Sequence, residues 1–164
     1  TDILHTPISP SEVVTALALG SVARSMMIVI ISVIVFNLFI DLPIYNFFYV
    51  FVFVFLGAFI LGLIGVISGI LIDRFEGQAA VTNFFVAPLS LLSGTFFLLE
   101  KLPEIVQKIN IANPIYHIVN TIRYGFLGES DTSVKFGLLY LVVLSFIFWF
   151  VAYILFAKGV KIKN

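Results

Sequence analysis

Residues 45–72 read YNFFYVFVFVFLGAFILGLIGVISGILI, without a single Asp, Glu, Lys or Arg. As an α-helix that rises about 1.5 Å per residue, this stretch would be about 42 Å long, more than the roughly 30 Å hydrocarbon core of a bilayer. Three further segments of similar character cover residues 13–40, 79–99 and 135–157. The sequence therefore predicts an all-α, polytopic transmembrane protein with four spanning helices in a single membrane domain, residues 1–164.

The composition indicates a chain that is solvated by lipid. Hydrophobic residues make up 61% and charged residues 11% of the sequence, whereas soluble domains are about 45–50% apolar and 25% charged. Nine basic and nine acidic residues cancel to a net charge of zero, so the sequence carries no electrostatic footprint for nucleic acid. We therefore expect membrane lipid, and no nucleic acid, among its partners.

Four spans place both ends of the chain on one face of the membrane, which we call side A; the opposite face is side B. Basic residues near the span ends are almost evenly divided between the two faces. They are Arg24, Arg74, Lys158, Lys161 and Lys163 on side A and Lys101, Lys108, Arg123 and Lys135 on side B. The lysine-rich tail favours a cytoplasmic side A, with both ends of the chain in the cytoplasm.

Arg24 is the one cation inside a predicted span. The span begins after Pro10, where Ser9 or Ser11 can cap the helix. An arginine at the bilayer centre costs about 2.5–3.5 kcal/mol on insertion scales. We expect Arg24 near the side A interface, because residues 25–40 still form about 24 Å of apolar helix beyond it. A position in a substrate path is the alternative.

The second half of the 45–72 helix carries a face of small residues. Ala58, Gly62, Gly65 and Gly69 recur at spacings of four, three and four, so they share one side of the helix. In lipid, small residues let the backbone of another helix approach closely. The pattern predicts helix packing and indicates no chemistry.

Pro88 lies in the middle of the predicted span 79–99. Its missing N–H removes the bond to the carbonyl of Phe84, which predicts a kink. Hydroxyl side chains near it can satisfy the backbone groups that a kink releases, and contact with cargo is the alternative role.

Residues 100–133 separate the last two spans and contain two short helix signals. The first follows Pro103, which a first helical turn tolerates. The second follows Asn113 and Pro114, with Asn113 as candidate N-cap. Neither piece is long enough to span, so we expect an extracytoplasmic segment that is interfacial or re-entrant, with its irregular backbone covered by protein.

Arg123 lies off the apolar stripe of the second short helix. We expect it to contact a lipid headgroup or a carboxylate. The helix itself should stop at Gly125 or Gly128.

Signals for catalytic, metal or nucleotide chemistry are missing. The two histidines, His5 and His117, lack the spacing and acidic neighbours of a zinc site, and cysteine is absent. No Gly-x-x-x-x-Gly-Lys-Ser/Thr loop is present to cradle phosphates. We expect no catalytic residue, metal site or cofactor in this chain, and any ATP hydrolysis on a separate chain.

Two stretches resemble the permease subunits of type-2 ABC exporters. Residues 2–13, DILHTPISPSEV, are similar to the cytoplasmic segment before the third span of that family. APLSLLSGTFF at 87–97, Leu-Pro at 102–103 and Asn-Pro at 113–114 look like the fifth span and outer loop, with Arg123 and Gly128 following in order. The likeness covers the whole chain as spans three to six of a six-span subunit, so we expect a C-terminal fragment.

The resemblance implies alternating access in the bacterial cytoplasmic (inner) membrane, powered by a separate cytoplasmic ABC ATPase and completed by a second permease subunit as a homo- or heterodimer. The implied cargo is a lipid-linked glycan, a polysaccharide or a hydrophobic compound. Residues 1–12 would form the coupling segment, through Ile3, Leu4, Thr6, Pro7, Ile8 and Ser9. The kink and outer gate would involve Pro88, Ser93, Gly94, Pro103, Asn113, Pro114 and Arg123.

Two other classes of function stay open. A membrane scaffold or assembly factor would use the small-residue face to bind partner helices. An intramembrane hydrolase would have to recruit His117 to a serine, although no serine lies in a Gly-x-Ser-x-Gly turn.

Overall fold

A computed structural model describes residues 8–72, 74–95 and 103–159, and every regular element within them is helical. The α-helices are α1 (Pro10–Asn37), α2 (Phe47–Leu71), α3 (Phe75–Val81), α4 (Ala87–Ser90), α5 (Glu104–Ile111), α6 (Pro114–Leu127) and α7 (Val134–Ala157). Two π-helical turns, Thr82–Val86 and Leu91–Thr95, flank α4.

Three of these helices, α1, α2 and α7, are long and apolar enough to cross a membrane. Their most apolar windows have mean hydropathies of 2.2, 3.0 and 2.6, yet no more than 33% of any window is buried within the described chain. Surface that is both this apolar and this exposed is suited to lipid or to other helices rather than to water. The predicted all-α, polytopic class is confirmed.

The span predicted at 79–99 follows a segmented course. The helical run begins earlier, at Phe75, and it passes through two π-helical turns before Thr95, where the described part ends. Residues 96–102 lie outside the described residues. Within the described ranges the continuous helices of spanning length therefore number three, and the stretch predicted as a fourth span is a helix in pieces.

The break in this segment lies at Gly94 rather than at Pro88. Val86 and Ala87 keep right-handed helical dihedrals, and the Ala87 N–H bonds to the carbonyl of Thr82, five residues back. This π-helical register absorbs the proline without a break in the helical backbone. Gly94 instead adopts φ 80° and ψ 13°, a left-handed conformation that glycine enters without steric cost.

Helix α2 is the centre of the bundle and packs against α1, α6 and α7. Two small cores result. The core on side A joins α1, α2 and α7 through Val14, Ala18, Leu63 and Ala152. The core on side B joins α2, α6 and α7 through Phe53, Ile60, Ile118 and Leu141.

Polar side chains fix the ends of the helices. Ser9 caps α1 in a reciprocal capping box with Glu12, as its sequence position predicts. Asn113 caps α6 by accepting from the Ile115 N–H at 3.0 Å. Gly128 ends α6 in a left-handed conformation, φ 78°, so Gly128 rather than Gly125 is the stop.

Gly125 has a packing role, because it lies where α2 crosses α6. A Cβ at Gly125 would overlap the Val50 side chain. The Asn46 N–H donates to the Gly125 carbonyl at 2.8 Å, and the Tyr45 N–H donates to the Phe126 carbonyl at 3.2 Å. The start of α2 is thereby joined to the end of α6.

Hydrogen bonds also link the spanning helices to one another. Ser21 of α1 donates to the Ala58 carbonyl of α2 at 3.0 Å. The Trp149 indole N–H of α7 donates to the Thr15 hydroxyl of α1 at 3.0 Å. The second bond brings the start of α1 beside the last turns of α7, so the described chain begins and ends at the same end of the bundle.

Candidate functional site

The asparagines of the α5–α6 hairpin (Glu104–Leu127) bind the backbone of the segmented helix. Asn113 donates from Nδ2 to the Leu89 carbonyl at 2.8 Å, and Asn110 donates to the Leu92 carbonyl. Both asparagines are almost fully buried. A helix that breaks in a membrane leaves carbonyls without N–H partners, and no water replaces them. The two amides therefore supply donors that the broken helix lacks.

Arg123 joins the same helix to the turn after α6. Its Nη2 donates to the Gly94 carbonyl at 2.5 Å, at the residue where the helix breaks. Its Nη1 forms an ion pair with Asp131 Oδ2 at 3.0 Å, and both side chains are 23% exposed. The expected carboxylate contact of Arg123 is confirmed. The guanidinium acts as a bridge between Gly94 and Asp131.

Asn120 holds the turn that carries Asp131. Its Oδ1 accepts from the Asp131 N–H at 2.8 Å, and its Nδ2 donates to the Thr132 hydroxyl at 3.0 Å. We call Asn110, Asn113, Asn120, Arg123 and Asp131 the hairpin cluster. Every member bonds to backbone or to another member, so the cluster holds the hairpin against the segmented helix.

The turn between α5 and α6 is fixed in a similar way from α6 and α7. His117 bonds through Nε2 to the Ile111 carbonyl at 2.7 Å, and Tyr140 donates to the Ala112 carbonyl at 2.6 Å. A carbonyl can only accept, so Nε2 of His117 carries the proton. Burial lowers the pKa of His117, against a smaller opposing effect of the bond to Ile111.

Ser93 forms hydrogen bonds within the last turn of the segmented helix. It is buried, it donates to the Ser90 carbonyl at 2.5 Å, and its hydroxyl lies 2.9 Å from that of Thr95. Pro88 and Pro103 are exposed, at the start of α4 and immediately before α5. Pro114 occupies the first turn of α6, directly after its Asn113 cap.

The structure thus brings Ser93, Gly94, Asn113 and Arg123 together and leaves Pro88 and Pro103 outside the hairpin cluster. Sequence reasoning missed Asn110, Asn120 and Asp131. A usable signal existed for the two amides, because a buried amide in an otherwise apolar segment requires a partner. The identity of those partners, carbonyls on another segment, is not encoded in the local pattern.

The small-residue face of α2 is only half occupied within the described chain. Ala58 accepts the bond from Ser21, and a Cβ at Gly62 would overlap the Ser21 hydroxyl. A Cβ at Gly65 would meet nothing within 4 Å, and one at Gly69 would meet only Gln78, at 4.0 Å. The half nearer the middle of α2 packs on α1, and the half nearer side A is largely open.

The expected coupling residues lie mostly outside the described residues. Ile3, Leu4, Thr6 and Pro7 are not described, whereas Ile8 and Ser9 are. Ile8 is 48% exposed, and Ser9 is engaged in capping α1. Ile8 is therefore available for contact with another chain at the start of a continuous helix.

The register of α1 against α2 fixes the level of Arg24 within the bundle. Ser21 is adjacent to Gly62, and Val33 lines the same cavity as Val50, so α1 and α2 run antiparallel. In this register Arg24, three residues beyond Ser21, is level with Phe59, the middle residue of α2. The expected position of Arg24 near the side A interface stays a prediction.

Comparisons with known proteins agree with this architecture. Residues 2–127 match the family described as "ABC-2 type transporter". The chain is 27% identical over 163 residues to the "Inner membrane transport permease YadH" of Escherichia coli (strain K12) and of Shigella flexneri. These matches cover 99% of this chain but 64% of the relatives, so the chain spans less than two thirds of their length. No solved structure matches the chain. The chain is an integral membrane protein and belongs to the ABC-2 type transporter family.

Proposed function

We propose that this chain forms the membrane-spanning part of an ABC exporter permease of the inner membrane. The family match over residues 2–127 is the observation that carries the proposal. A separate cytoplasmic ABC ATPase supplies the energy, and a second permease subunit completes the transporter. The cargo is a lipid-linked glycan, a polysaccharide or a hydrophobic compound, moved by alternating access.

The packing of α1 supports a mechanism for such movement. The buried residues of α1 all belong to its first half, namely Val13, Val14, Ala18 and Val22. The bonds from Ser21 to Ala58 and from Trp149 to Thr15 also hold that half. The second half of α1 contributes no buried residue and borders a cavity of about 330 Å³ against α2 and α6. Helix α1 is therefore anchored near side A and free to separate near side B.

A force applied at the start of α1 would accordingly rotate the whole helix as a rigid lever. The capping box makes Ser9 and Glu12 part of one rigid element with the 28 residues of the helix. A small rotation at the anchored half displaces the loosely packed half by a larger distance, as in hinge motions. Ile8, exposed just before this element, is where the ATPase would push.

The hairpin cluster gives the far end of the transporter a defined barrier. In this proposal α5 and α6 enter the membrane from side B and return, and Arg123 and Asn113 hold them against the segmented helix. Because these contacts are few and polar, they form a discrete arrangement that can be exchanged for another. Side A is cytoplasmic in this proposal, and the hairpin closes the outer exit.

The open half of the small-residue face supports the presence of a partner helix. Gly65 is exposed, and a Cβ there would meet nothing within 4 Å in the described chain. Membrane helices associate through such surfaces because small residues permit close van der Waals contact. A helix of the complete transporter is the occupant that the proposal requires.

The test begins with the gene neighbourhood, where an ATPase reading frame should stand beside this one. The full permease and that ATPase are then purified together and reconstituted, and ATP hydrolysis is compared with that of the ATPase alone. Ile8→Asp should reduce permease-dependent hydrolysis about tenfold or more, the usual range of coupling between two sites. Membrane insertion should be unchanged.

Leu38→Asp is the matched control, because Leu38 is 77% exposed at the opposite end of α1. It should keep permease-dependent hydrolysis close to the level of the unsubstituted complex. Equal loss in both variants would argue against a coupling role for Ile8. Failure of the permease to associate with any ABC ATPase would refute the proposed function itself.

A further inference from the structure

Helices α6 and α7 approach each other closely at Gly137. This glycine is buried, and a Cβ built on it would lie 3.4 Å from Nδ1 of His117 and 3.6 Å from Oγ1 of Thr121. His117 and Thr121 lie one turn apart on α6, so both side chains face the same point of α7. We call Gly137, His117 and Thr121 the α6–α7 contact.

The polar atoms of this contact are buried without a partner. Neither Nδ1 of His117 nor Oγ1 of Thr121 has a hydrogen bond among the residues that the structure describes, and both residues are only 1% exposed. Because Nε2 carries the proton in the bond to the Ile111 carbonyl, Nδ1 of the neutral ring is an acceptor. A buried polar atom without a hydrogen bond destabilises the arrangement that buries it. Separation of α6 from α7 would remove this penalty, because water would then reach both atoms.

The other contacts of α6 indicate which neighbour it keeps. The backbone N–H groups of Tyr45 and Asn46 bond to carbonyls in the last turn of α6, and Ile118 fills the space beside Gly57 of α2. The Tyr140 hydroxyl of α7 bonds instead to the Ala112 carbonyl, in the turn before α6. Helix α6 can therefore stay with α2 while its contact with α7 opens.

A proton on Nδ1 would make His117 a cation that the closed contact does not stabilise. The ring packs against the aromatic rings of Tyr116, Phe136 and Tyr140. The charged residues of the elements around it are Glu104 and Lys108 of α5, Arg123 of α6, Glu129 and Asp131 of the following turn, and Lys135 of α7. None of these charges affects the pKa of His117, which burial lowers. A protonated ring is therefore better accommodated when the contact is open and hydrated.

We propose that α6 and α7 separate at this contact and that a proton bound to Nδ1 of His117 stabilises the separated state. The use of this separation in transport rests on the proposed function, in which the hairpin closes the outer exit. A hydrated imidazole has an ordinary pKa of about 6.5. If the separated state alone binds the proton, the equilibrium constant for separation should rise about tenfold between about pH 7.5 and pH 5.5.

Leu141→Cys serves as the reporter of separation, because Leu141 is fully buried one turn after Gly137. The full permease and its ATPase, with this residue as their one cysteine, are placed in nanodiscs and treated with a water-soluble thiosulfonate. The modification rate is measured at about pH 7.5 and pH 5.5, and each rate is divided by that of the same reporter in a His117→Gln background. This ratio cancels the pH dependence of the thiol and should rise about tenfold at the lower pH.

Ala152→Cys is the matched control. Ala152 is as fully buried as Leu141 on the same helix, but it belongs to the core on side A. Its ratio should be the same at both pH values. If Leu141→Cys fails to assemble, Leu138→Cys replaces it, because Leu138 packs against the same core on side B.

Two substitutions test the unpaired atoms themselves. Thr121→Val removes the hydroxyl and keeps the shape, so it should slow modification at both pH values and leave the rise in acid intact. Gly137→Ser places a hydroxyl where it can donate to Nδ1 of His117. Modification should therefore be slower in Gly137→Ser than in Gly137→Ala, which adds the same Cβ without a donor.

Equal ratios for Leu141→Cys at the two pH values would overturn the inference. So would an equal rise for Ala152→Cys, since the whole bundle would then loosen in acid. Faster modification in Thr121→Val would show that the hydroxyl has a partner, which also contradicts the inference. ATP hydrolysis by the same complex is measured separately. Its absence would count against the proposed function, whereas the modification rates would still test the α6–α7 contact.

Discussion

Two glycines of one face of α2 should respond in opposite directions to the same substitution. Gly62→Ala places a Cβ against Ser21, overlapping Oγ and lying 2.9 Å from Cβ, whereas Gly65→Ala places its Cβ where nothing lies within 4 Å. The two positions are three residues apart in one helix, so their backbone contributions to stability are matched. The difference between the variants isolates the contact with α1.

The expected magnitudes follow from three terms. Replacing glycine by alanine within a helix gains roughly 0.5–1 kcal/mol at either position. At Gly62, overpacking costs about 1–3 kcal/mol, and loss of the bond from Ser21 to the Ala58 carbonyl costs about 0.6 kcal/mol more, the average for membrane proteins. Gly65→Ala should therefore be stabilising by up to about 1 kcal/mol. Gly62→Ala should be about 1.6–3.6 kcal/mol less stable than Gly65→Ala.

Reversible unfolding in mixed micelles of dodecyl maltoside and SDS, followed by circular dichroism, measures both variants. The double variant Gly62→Ala with Ser21→Gly removes the side chain that clashes and should recover most of the packing loss. Equal stabilities of the two alanine variants would refute the packing of α1 against the Gly62 half of the face. So would a double variant no better than Gly62→Ala alone.

Two further predictions concern the hairpin. Asn113→Ala loses both the cap at the Ile115 N–H and the donor to the Leu89 carbonyl, and it should lower stability by about 2–4 kcal/mol. Asn113→Asp keeps the cap and should lower stability by about 1–3 kcal/mol. Thermal midpoints of the purified protein rank the two variants, and a reversed order would contradict the assigned bonds. Because burial lowers the pKa of His117, the unfolded chain binds a proton at this residue more readily than the folded chain does. The folded state should therefore be most stable above about pH 6.5 and lose stability as the pH falls below that value. Unfolding titrations at several pH values should show this loss, and His117→Gln should remove it; an unchanged pH dependence in that variant would show that other groups cause it.

The fold class could be predicted because α1, α2 and α7 are continuous apolar helices whose length alone identifies them. The segmented helix could not be predicted in detail, because both Pro88 and Gly94 are plausible breaks. The choice between them depends on the π-helical turn at Thr82–Val86, which absorbs the proline. It also depends on Arg123, which stabilises the broken backbone at Gly94 from a distant part of the sequence.

In the candidate site, too, local features could be predicted and contacts between distant residues could not. The role of Asn113 as a cap before Pro114 is a local signal and was predictable. Its second bond, to Leu89, joins residues 24 positions apart and was not. The level of Arg24 relative to α2 could not be predicted for a related reason, since it is set by the register of α1 against α2 at Ser21 and Gly62. Hydropathy along a single helix carries no information on that register.

The position of Trp149 makes the movement of α1 directly observable. It is the one tryptophan in the sequence, and its indole bonds to the helix that the proposed lever would rotate. Rotation of α1 about its anchored half would change the geometry of that bond and the surroundings of the indole, and with them the fluorescence of Trp149. In a transporter whose other tryptophans are replaced, emission from this residue would follow the conformational cycle in real time without an added label.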